Sequence, residues 1–224
     1  MKVSLVSYTK PAGILDDTEV KTPLDLVAFC ARVSNPTNQM NSATSEKLIK
    51  YLMKHRHWSP LEMVDVTMEI ETTRDSARQM VRHRSFSFQE FSQRYADVSN
   101  LDEEMFEYCE VRLQDTKNRQ NSVEVEDQHL KDLWIAHQRN IIKEAENAYR
   151  WAIKRGIAKE VARKILPEGL TKSRLYMKGS LRSWIHYLEV RGEGSGTQKE
   201  HMLVAAEIAK VIAELFPINE IQAG

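Results

Sequence analysis

From Arg82 to Tyr95 the chain reads Arg-His-Arg-Ser-Phe-Ser-Phe-Gln-Glu-Phe-Ser-Gln-Arg-Tyr, with Gln79 one helical turn ahead. Cationic, hydroxyl, amide and carboxylate groups crowd here without an apolar period to explain them. Three basic residues ending a helix complement its macrodipole, which accounts for Arg82 to Arg84 alone. Gln79, Glu90, Ser92 and Arg94 remain unaccounted for. Two forked guanidiniums, amide and hydroxyl donors and one carboxylate suit a phosphate, a ribose and a base edge held together. This stretch is therefore read as an anionic nucleotide site.

Thr72 and Asp75 have capping-box spacing, which predicts a helix through Ala77, Met80 and Val81 to about Arg84. Ala77, Met80, Val81 and the stem of Arg84 would share one face, with Asp75, Gln79, Arg82 and His83 on the other. Beyond Arg84, Phe86 and Phe88 alternate with Ser85 and Ser87 as an extended segment would. Val64 to Thr72 alternates as a strand, so a strand-helix unit delivers Arg82. Lys2 to Thr9 suits a first strand. Thr22-Pro23 opens a helix over Leu24 to Ala31 that must stop before Pro36. A second helix from about Ser45 carries Leu48, Ile49, Leu52 and Met53 and ends near His55-Arg56-His57. Those two histidines have no further ligands in a recognisable pattern, so no metal site is expected.

The pattern weakens from residue 100 to 126, where acidic Asp102-Glu103-Glu104 and polar Asp115 to Ser122 predict a mobile loop. A long helix follows, with Leu130, Trp134, His137, Ile141, Ala145, Ala148 and Ala152 on one stripe and Gly156 placed to end it. His137 reads as a core or interface histidine. A shorter helix spans about Ala158 to Leu166 and carries Arg163. Leu175 to Lys178 suits a strand, after which Ser180 can cap a helix over Leu181 to about Arg191. Leu181, Trp184, Ile185 and Leu188 form its core stripe, Arg182, His186 and Glu189 its polar stripe, and Arg191 points elsewhere. A last amphipathic helix runs from Gln198 to Leu215. The expected fold is α+β: a single domain with a mainly antiparallel sheet flanked by helices, two of them long.

Arg82-His83-Arg84, seven residues and then Ser92 resemble the RHR-x7-S signature of the flavin-dependent thymidylate synthases, and Glu90, Arg94 and Tyr95 sit where that motif has them. Ala31 to Ser34, His57-Trp58-Ser59-Pro60-Leu61-Glu62 and Ala162-Arg163-Lys164-Ile165-Leu166-Pro167 resemble further family segments. The family pattern N-x-R-S-x2-N-x4-R falls on Ser180, Arg182, Ser183, His186 and Arg191, with Ser180 and His186 in place of amides. Asn118-Arg119-Gln120 resembles a segment of some members and reads equally as a solvated loop. Family members commonly carry a histidine after the last arginine, and Gly192 to Thr197 lacks one.

The resemblance implies an enzyme that methylates dUMP to dTMP, with FAD as cofactor and methylenetetrahydrofolate and NADPH as co-substrates. It implies dUMP contacts from Gln79, Met80, Val81, Arg82, Glu90, Phe91, Ser92, Gln93, Arg94, Arg163 and Arg191. It implies FAD contacts from Ser34, Ser59, Arg82, His83, Arg84, Glu90, Ser180, Arg182 and His186, with Arg191 and His57 in catalytic roles. It also implies a homotetramer with active sites at subunit interfaces. Ala145 to Ala152 and Ala205 to Ala209 offer small-residue stripes for close helix packing.

Composition bounds the alternatives. The 224 residues carry 32 Lys+Arg against 32 Asp+Glu, a formal net charge of 0, which argues against a polyanion-binding protein. A stacking surface for RNA on Phe86 and Phe88, flanked by arginine as in an RNP1 strand, is the alternative function. A helical scaffold would explain the periodicity and leave the Gln79 to Arg94 cluster idle. No apolar run approaches about 18 residues and no signal pattern opens the chain, so a cytoplasmic protein without membrane partners is expected. Cys30 and Cys109 have no metal or redox spacing, and neither is expected to be catalytic.

Overall fold

The computed structural model describes residues 1–98, 105–193 and 196–218. Asp102-Glu103-Glu104 and Gly194-Ser195 lie outside the described residues. In chain order the elements are β1 (Lys2–Tyr8), α1 (Pro23–Ala31), α2 (Ser45–Lys54), β2 (Asp65–Thr73), α3 (Arg74–Met80) and β3 (Ser87–Glu90). There follow β4 (Arg112–Gln114), β5 (Ser122–Glu124), α4 (Gln128–Lys154), α5 (Lys159–Ala162), β6 (Lys172–Ser180), α6 (Leu181–Arg191) and α7 (Lys199–Leu215). An antiparallel sheet in the order β1-β2-β6-β3 carries the site, which agrees with the expected α+β class.

The side-chain period of two in β2 sends Val66, Met68 and Ile70 to a fully buried face and leaves Thr67, Glu69 and Glu71 half-buried on the other. The buried face joins Leu175 and Met177 of β6, Ile49 and Leu52 of α2, the Leu181, Trp184, Ile185 and Leu188 stripe of α6, and Val204 and Ile208 of α7. Each such side chain contributes about 1.5–3 kcal/mol by leaving water. The Thr22 hydroxyl accepts from Asp25 N while Asp25 accepts from Thr22 N, a capping box with Pro23 at the first helical position.

Gly179 explains how β3 is held. A Cβ built there would lie 2.4 Å from Cδ1 of Phe86, so the ring occupies the space that a side chain on β6 would need. Phe86 stacks edge-on to Trp184 at 4.7 Å and is 9% exposed. That burial overturns the RNA alternative: Phe86 faces the core, and Phe88 packs partly buried against the same cluster. Neither ring is presented as a stacking surface.

Several local expectations are corrected. Thr72 does not cap α3; it is the buried partner of Ser173 in the β2–β6 ladder, which runs one residue further than its alternation suggested. Thr73 takes the N-cap position with its Oγ1 donating to Asp75 Oδ1 at 2.5 Å, and no reciprocal box forms. Helix α3 ends at Met80, and Val81 is 38% exposed rather than on the apolar face, because the chain must turn to seat Phe86. The helix carrying Arg163 is α-helical only to Ala162 and then tightens into a 3₁₀ turn, Arg163–Ile165. Leu166 is extended, as the residue before a proline prefers.

The segment expected as a loop forms the β4–β5 hairpin, whose turn is organised by Asp115 accepting from Lys117 N, Asn118 N and the Asn121 amide. Asn118-Arg119-Gln120 sits in that turn. Arg112 ties the hairpin to Glu200 of α7 at 2.6 Å, and Lys199 reaches Glu124 at 2.6 Å. Helix α4 buries Gln138, Ile142, Ala145, Tyr149 and Ala152 against Val98, Met105, Phe106 and Ala162. His137 and Ala148, expected on the packed stripe, are exposed together with Trp134 and Ile141. The packed face is rotated toward the next residue along, and Ala145 and Ala152 are used inside the chain.

Candidate active site

Helices α3, α6 and α7 converge on a chain of buried and half-buried polar contacts. The Tyr187 hydroxyl lies 2.6 Å from Nε2 of His201, and Nδ1 of His201 lies 3.3 Å from Oε1 of Gln79. The Gln79 amide donates to Oε1 of Gln198 at 2.7 Å. Burial holds the Tyr187 phenol protonated, with its pKa raised, so the tyrosine donates to Nε2 of His201, whose Nδ1–H donates to Oε1 of Gln79. One direction of donation thus runs from Tyr187 to Gln198 and fixes which way the Gln79 amide faces.

Arg191 donates from Nε to Nε2 of His83 at 2.9 Å, and the His83 ring meets Tyr187 edge-on at 4.9 Å. Burial first, then Arg191 and His186, lower the His83 pKa to about 4, so at neutral pH the imidazole is an acceptor for Arg191. His201 is fully buried, and burial, Arg191 and His83 lower its pKa to about 3. Unfolded, His201 takes up its proton near 6.5, so the unfolded chain binds more protons below that value. The stability contributed by keeping His201 neutral is complete above about 6.5 and is lost as pH falls toward 3. Thermal midpoints should therefore decline from pH 7 to pH 4, and less steeply in His201→Gln. Equal slopes in circular-dichroism melts of the two proteins would contradict this.

A second cluster lies at the start of α6. Glu62 accepts from Arg182 Nη1 at 2.8 Å and from the Ser180 hydroxyl at 2.5 Å, while Ser180 also caps the helix by accepting from Ser183 N. The Ser183 hydroxyl donates to the carbonyl of Ser85, locking the arginine-rich turn to α6. These groups border a cavity of about 500 Å³ with Trp58 and Ile185 as apolar wall and Arg56, Arg182 and His186 as polar lining. An apolar wall with a few converging donors suits a planar heterocycle carrying an anionic tail. Just past the end of α2, beyond its C-cap His55, Arg56 adopts φ 56, a left-handed conformation that costs a non-glycine residue roughly 1–2 kcal/mol.

A third cluster is cationic. Glu90 faces Arg74 Nη1 at 3.5 Å and accepts from the Ser173 hydroxyl at 2.8 Å. Burial lowers the Arg74 pKa, Glu90 opposes this, and the like charges of Arg78 and Arg163 lower it further. Arg94 reaches Glu160 of α5 at 3.3 Å, and Lys159 Nζ donates to the Tyr95 carbonyl, so the Ser92 to Tyr95 turn is docked beside Arg163.

The expected site residues thus divide. Gln79, His83 and Arg191 come together, as do Ser180, Arg182 and His186. Arg82, Arg84 and Ser92 are exposed. Met80 is fully buried, its carbonyl accepting from His83 N, while Phe91 is half-buried and donates its N–H to the Arg174 carbonyl. Gln93 is 3% exposed with its amide nitrogen unpartnered. Ser34, His57 and Ser59 are exposed and outside the cavity lining; His57 instead neighbours Tyr51 and His55, ring centroids 6.1 Å apart in each pair. Tyr187, His201, Gln198, Glu62 and Arg74 were not singled out as site residues. The Gln198-Lys199-Glu200-His201 run, polar at the start of an apolar helix, was the available signal for two of them.

Fold and clusters together define an α+β protein with basic, partly buried clefts suited to phosphorylated heterocycles. A family model described as "Thymidylate synthase complementing protein" matches residues 14–218. A "Flavin-dependent thymidylate synthase" from Synechocystis sp. is 46% identical over 217 residues, covering 97% of this chain and 96% of that protein. A protein of Paramecium bursaria Chlorella virus 1 described as "Probable flavin-dependent thymidylate synthase" is 42% identical over 217 residues with the same coverage. The crystal structure of PolB, a UMP/dUMP methylase from Streptomyces cacaoi bound with 5-Br UMP, superposes with a TM-score of 0.77 at 25% identity, covering 98% of this chain and 91% of that one. The chain belongs to the flavin-dependent thymidylate synthase family.

Proposed function

We propose that the chain methylates dUMP to dTMP with methylenetetrahydrofolate as one-carbon donor and NADPH as reductant, in the cytoplasm. The carrying observation is the Arg191–His83 contact, in which a neutral imidazole occupies Nε and leaves the two terminal nitrogens for the pyrimidine. Arg82, Ser92, Arg94 and Arg163 neutralise the substrate phosphate, each charge-assisted bond contributing roughly 1.5–3 kcal/mol. Arg191 stabilises negative charge building on the ring, which makes C5 the better nucleophile. Gln79, oriented by His201, and Val81 hold the base edge with Met80 supporting them from the core, and Glu90, Phe91 and Gln93 close the substrate space.

The cavity's apolar wall and polar lining, which includes Arg182 and His186, fit FAD. Ser34, His57, Ser59 and the Arg82-His83-Arg84 turn lie outside that lining and are proposed to meet the parts of the flavin that extend beyond it. Ser180 acts through Glu62 and Arg182. Bound FAD supplies the redox and one-carbon transfer chemistry; the chain supplies position and electrostatics. Burial raises the thiol pKa of Cys30, and burial with Glu200 raises that of Cys109, so both stay protonated and neither is a nucleophile. Both are free cysteines, which fits a reducing compartment. Trp134, Ile141 and Trp151, respectively 40%, 54% and 57% exposed on α4, support packing against further copies in a homotetramer with shared active sites.

The test is optical. Purified protein should show an oxidised-flavin spectrum that NADPH bleaches under anaerobic conditions. A colourless preparation that added FAD cannot reconstitute would overturn the proposal.

A further inference from the structure

Arg56 ends α2 in a position that glycine ordinarily takes. His57 N donates to the Leu52 carbonyl and Arg56 N to the Met53 carbonyl, the paired bonds of a Schellman motif, whose left-handed residue is Arg56 at φ 56. It is the only described non-glycine residue with positive φ. Its backbone is satisfied, yet its guanidinium meets no hydrogen-bond or ion-pair partner among the described residues. Of the other cations nearby, Arg182 is paired with Glu62 and Lys50 with Glu46, whereas Lys54 shares Arg56's lack of a partner among the described residues.

Arg56 stands on a wall common to two spaces. On one side is the 500 Å³ cavity proposed for flavin; on the other is an open groove of about 480 Å³ that also carries Lys50 and Lys54. Trp58 and Glu189 belong to both. A cation held in a strained backbone, uncompensated and shared by two cavities, has the properties of a ligand for an anion that arrives with the substrate or cofactor. Replacement by the residue the backbone prefers would remove the charge and relieve the strain together.

We propose that Arg56 binds a phosphoryl group of a dinucleotide at the mouth of this cavity. The phosphate comes either from the diphosphate of FAD on the inner side or from the phosphorylated reductant in the outer groove. The inference rests on the flavin reading given above, and the two fail separately: a wild-type protein without flavin sinks that reading, whereas Arg56 is judged only in a protein that carries flavin.

The experiment compares wild-type, Arg56→Gly and Arg56→Lys holoenzymes. Free FAD released on dilution is followed by its fluorescence to give Kd, and steady-state oxidation gives KM for NADPH and NADH. Arg56→Gly should keep its thermal midpoint or gain up to about 3 °C, since the left-handed strain is relieved. Its Kd for FAD, or its KM for NADPH, should nevertheless rise roughly tenfold or more, the loss of one charge-assisted contact. A rise in Kd for FAD assigns the flavin diphosphate. A rise confined to KM, larger for NADPH than for NADH, assigns the reductant's extra phosphate. Arg56→Lys should recover most of the loss, because it keeps the charge and the same backbone strain. The proposal is overturned if both constants stay within about twofold of wild type in Arg56→Gly, or if Arg56→Lys binds no better than Arg56→Gly.

Discussion

Arg191→Ala should lower kcat for dUMP methylation by about 10²-fold or more while leaving the KM for dUMP within a few-fold of wild type. Removing one preorganised donor from a charge that develops in the transition state has this size and this signature. Arg191 is half-buried, and its Nε is fixed by His83, so the guanidinium plane is set before substrate arrives. The phosphate contacts behave differently, because phosphate carries the same charge before and during reaction. Loss of Arg94 or Arg163 should raise KM and spare kcat. Lysine keeps a charge without the planar fork and should rescue position 163 better than position 191. Steady-state kinetics with dUMP varied at saturating folate and NADPH decide the matter. A rise in KM alone for Arg191→Ala would make Arg191 a uniform binding contact.

Gly179→Ala should be strongly destabilising. The new Cβ would sit 2.4 Å and 2.6 Å from two ring carbons of Phe86, and that ring is wedged against Trp184 and Tyr187. Displacing it costs about 3 kcal/mol as overpacking, or a thermal midpoint roughly 6–12 °C lower. Only Ser85 separates Phe86 from the Arg82-His83-Arg84 turn, so the same displacement should loosen flavin. Differential scanning calorimetry and flavin content per chain measure both effects. A midpoint within about 1 °C of wild type would show that the ring has another place to go.

Local physics made much of this legible. The Thr22 cap, the β2 alternation and the α6 stripes each depend on residues within two turns or one strand, and each stands where the residues indicated. Errors arose where a distant element decided. Thr72 has an acidic residue three positions on, as a cap would, but pairing with β6 keeps it in the strand. Helix α4 has apolar residues around more than one face, and its period alone does not reveal that Ile142 and Tyr149 rather than Ile141 and Ala148 are covered. The three-residue strands β4 and β5 are too short and polar to show alternation.

The site divides in the same way. The Arg82 to Arg94 cluster announced itself by composition, since nothing structural requires so many polar types together. The chain from Tyr187 through His201 to Gln79 did not, because its contacts join residues 14 and 122 positions apart. In the sequence His201 is one polar residue among several at the start of a helix. Only the packing of α7 against α3 and α6 turns it into the group that orients Gln79.

The most direct measurement is dTMP formation by a flavin-loaded Cys30→Ala, Cys109→Ser double variant, supplied with dUMP, methylenetetrahydrofolate and NADPH and assayed by chromatography. Product at close to the wild-type rate, absent when either the folate or the reductant is omitted, is the result expected of a flavin enzyme that activates dUMP by position and charge alone. A double variant that keeps its fold and its flavin but forms no dTMP would contradict that mechanism.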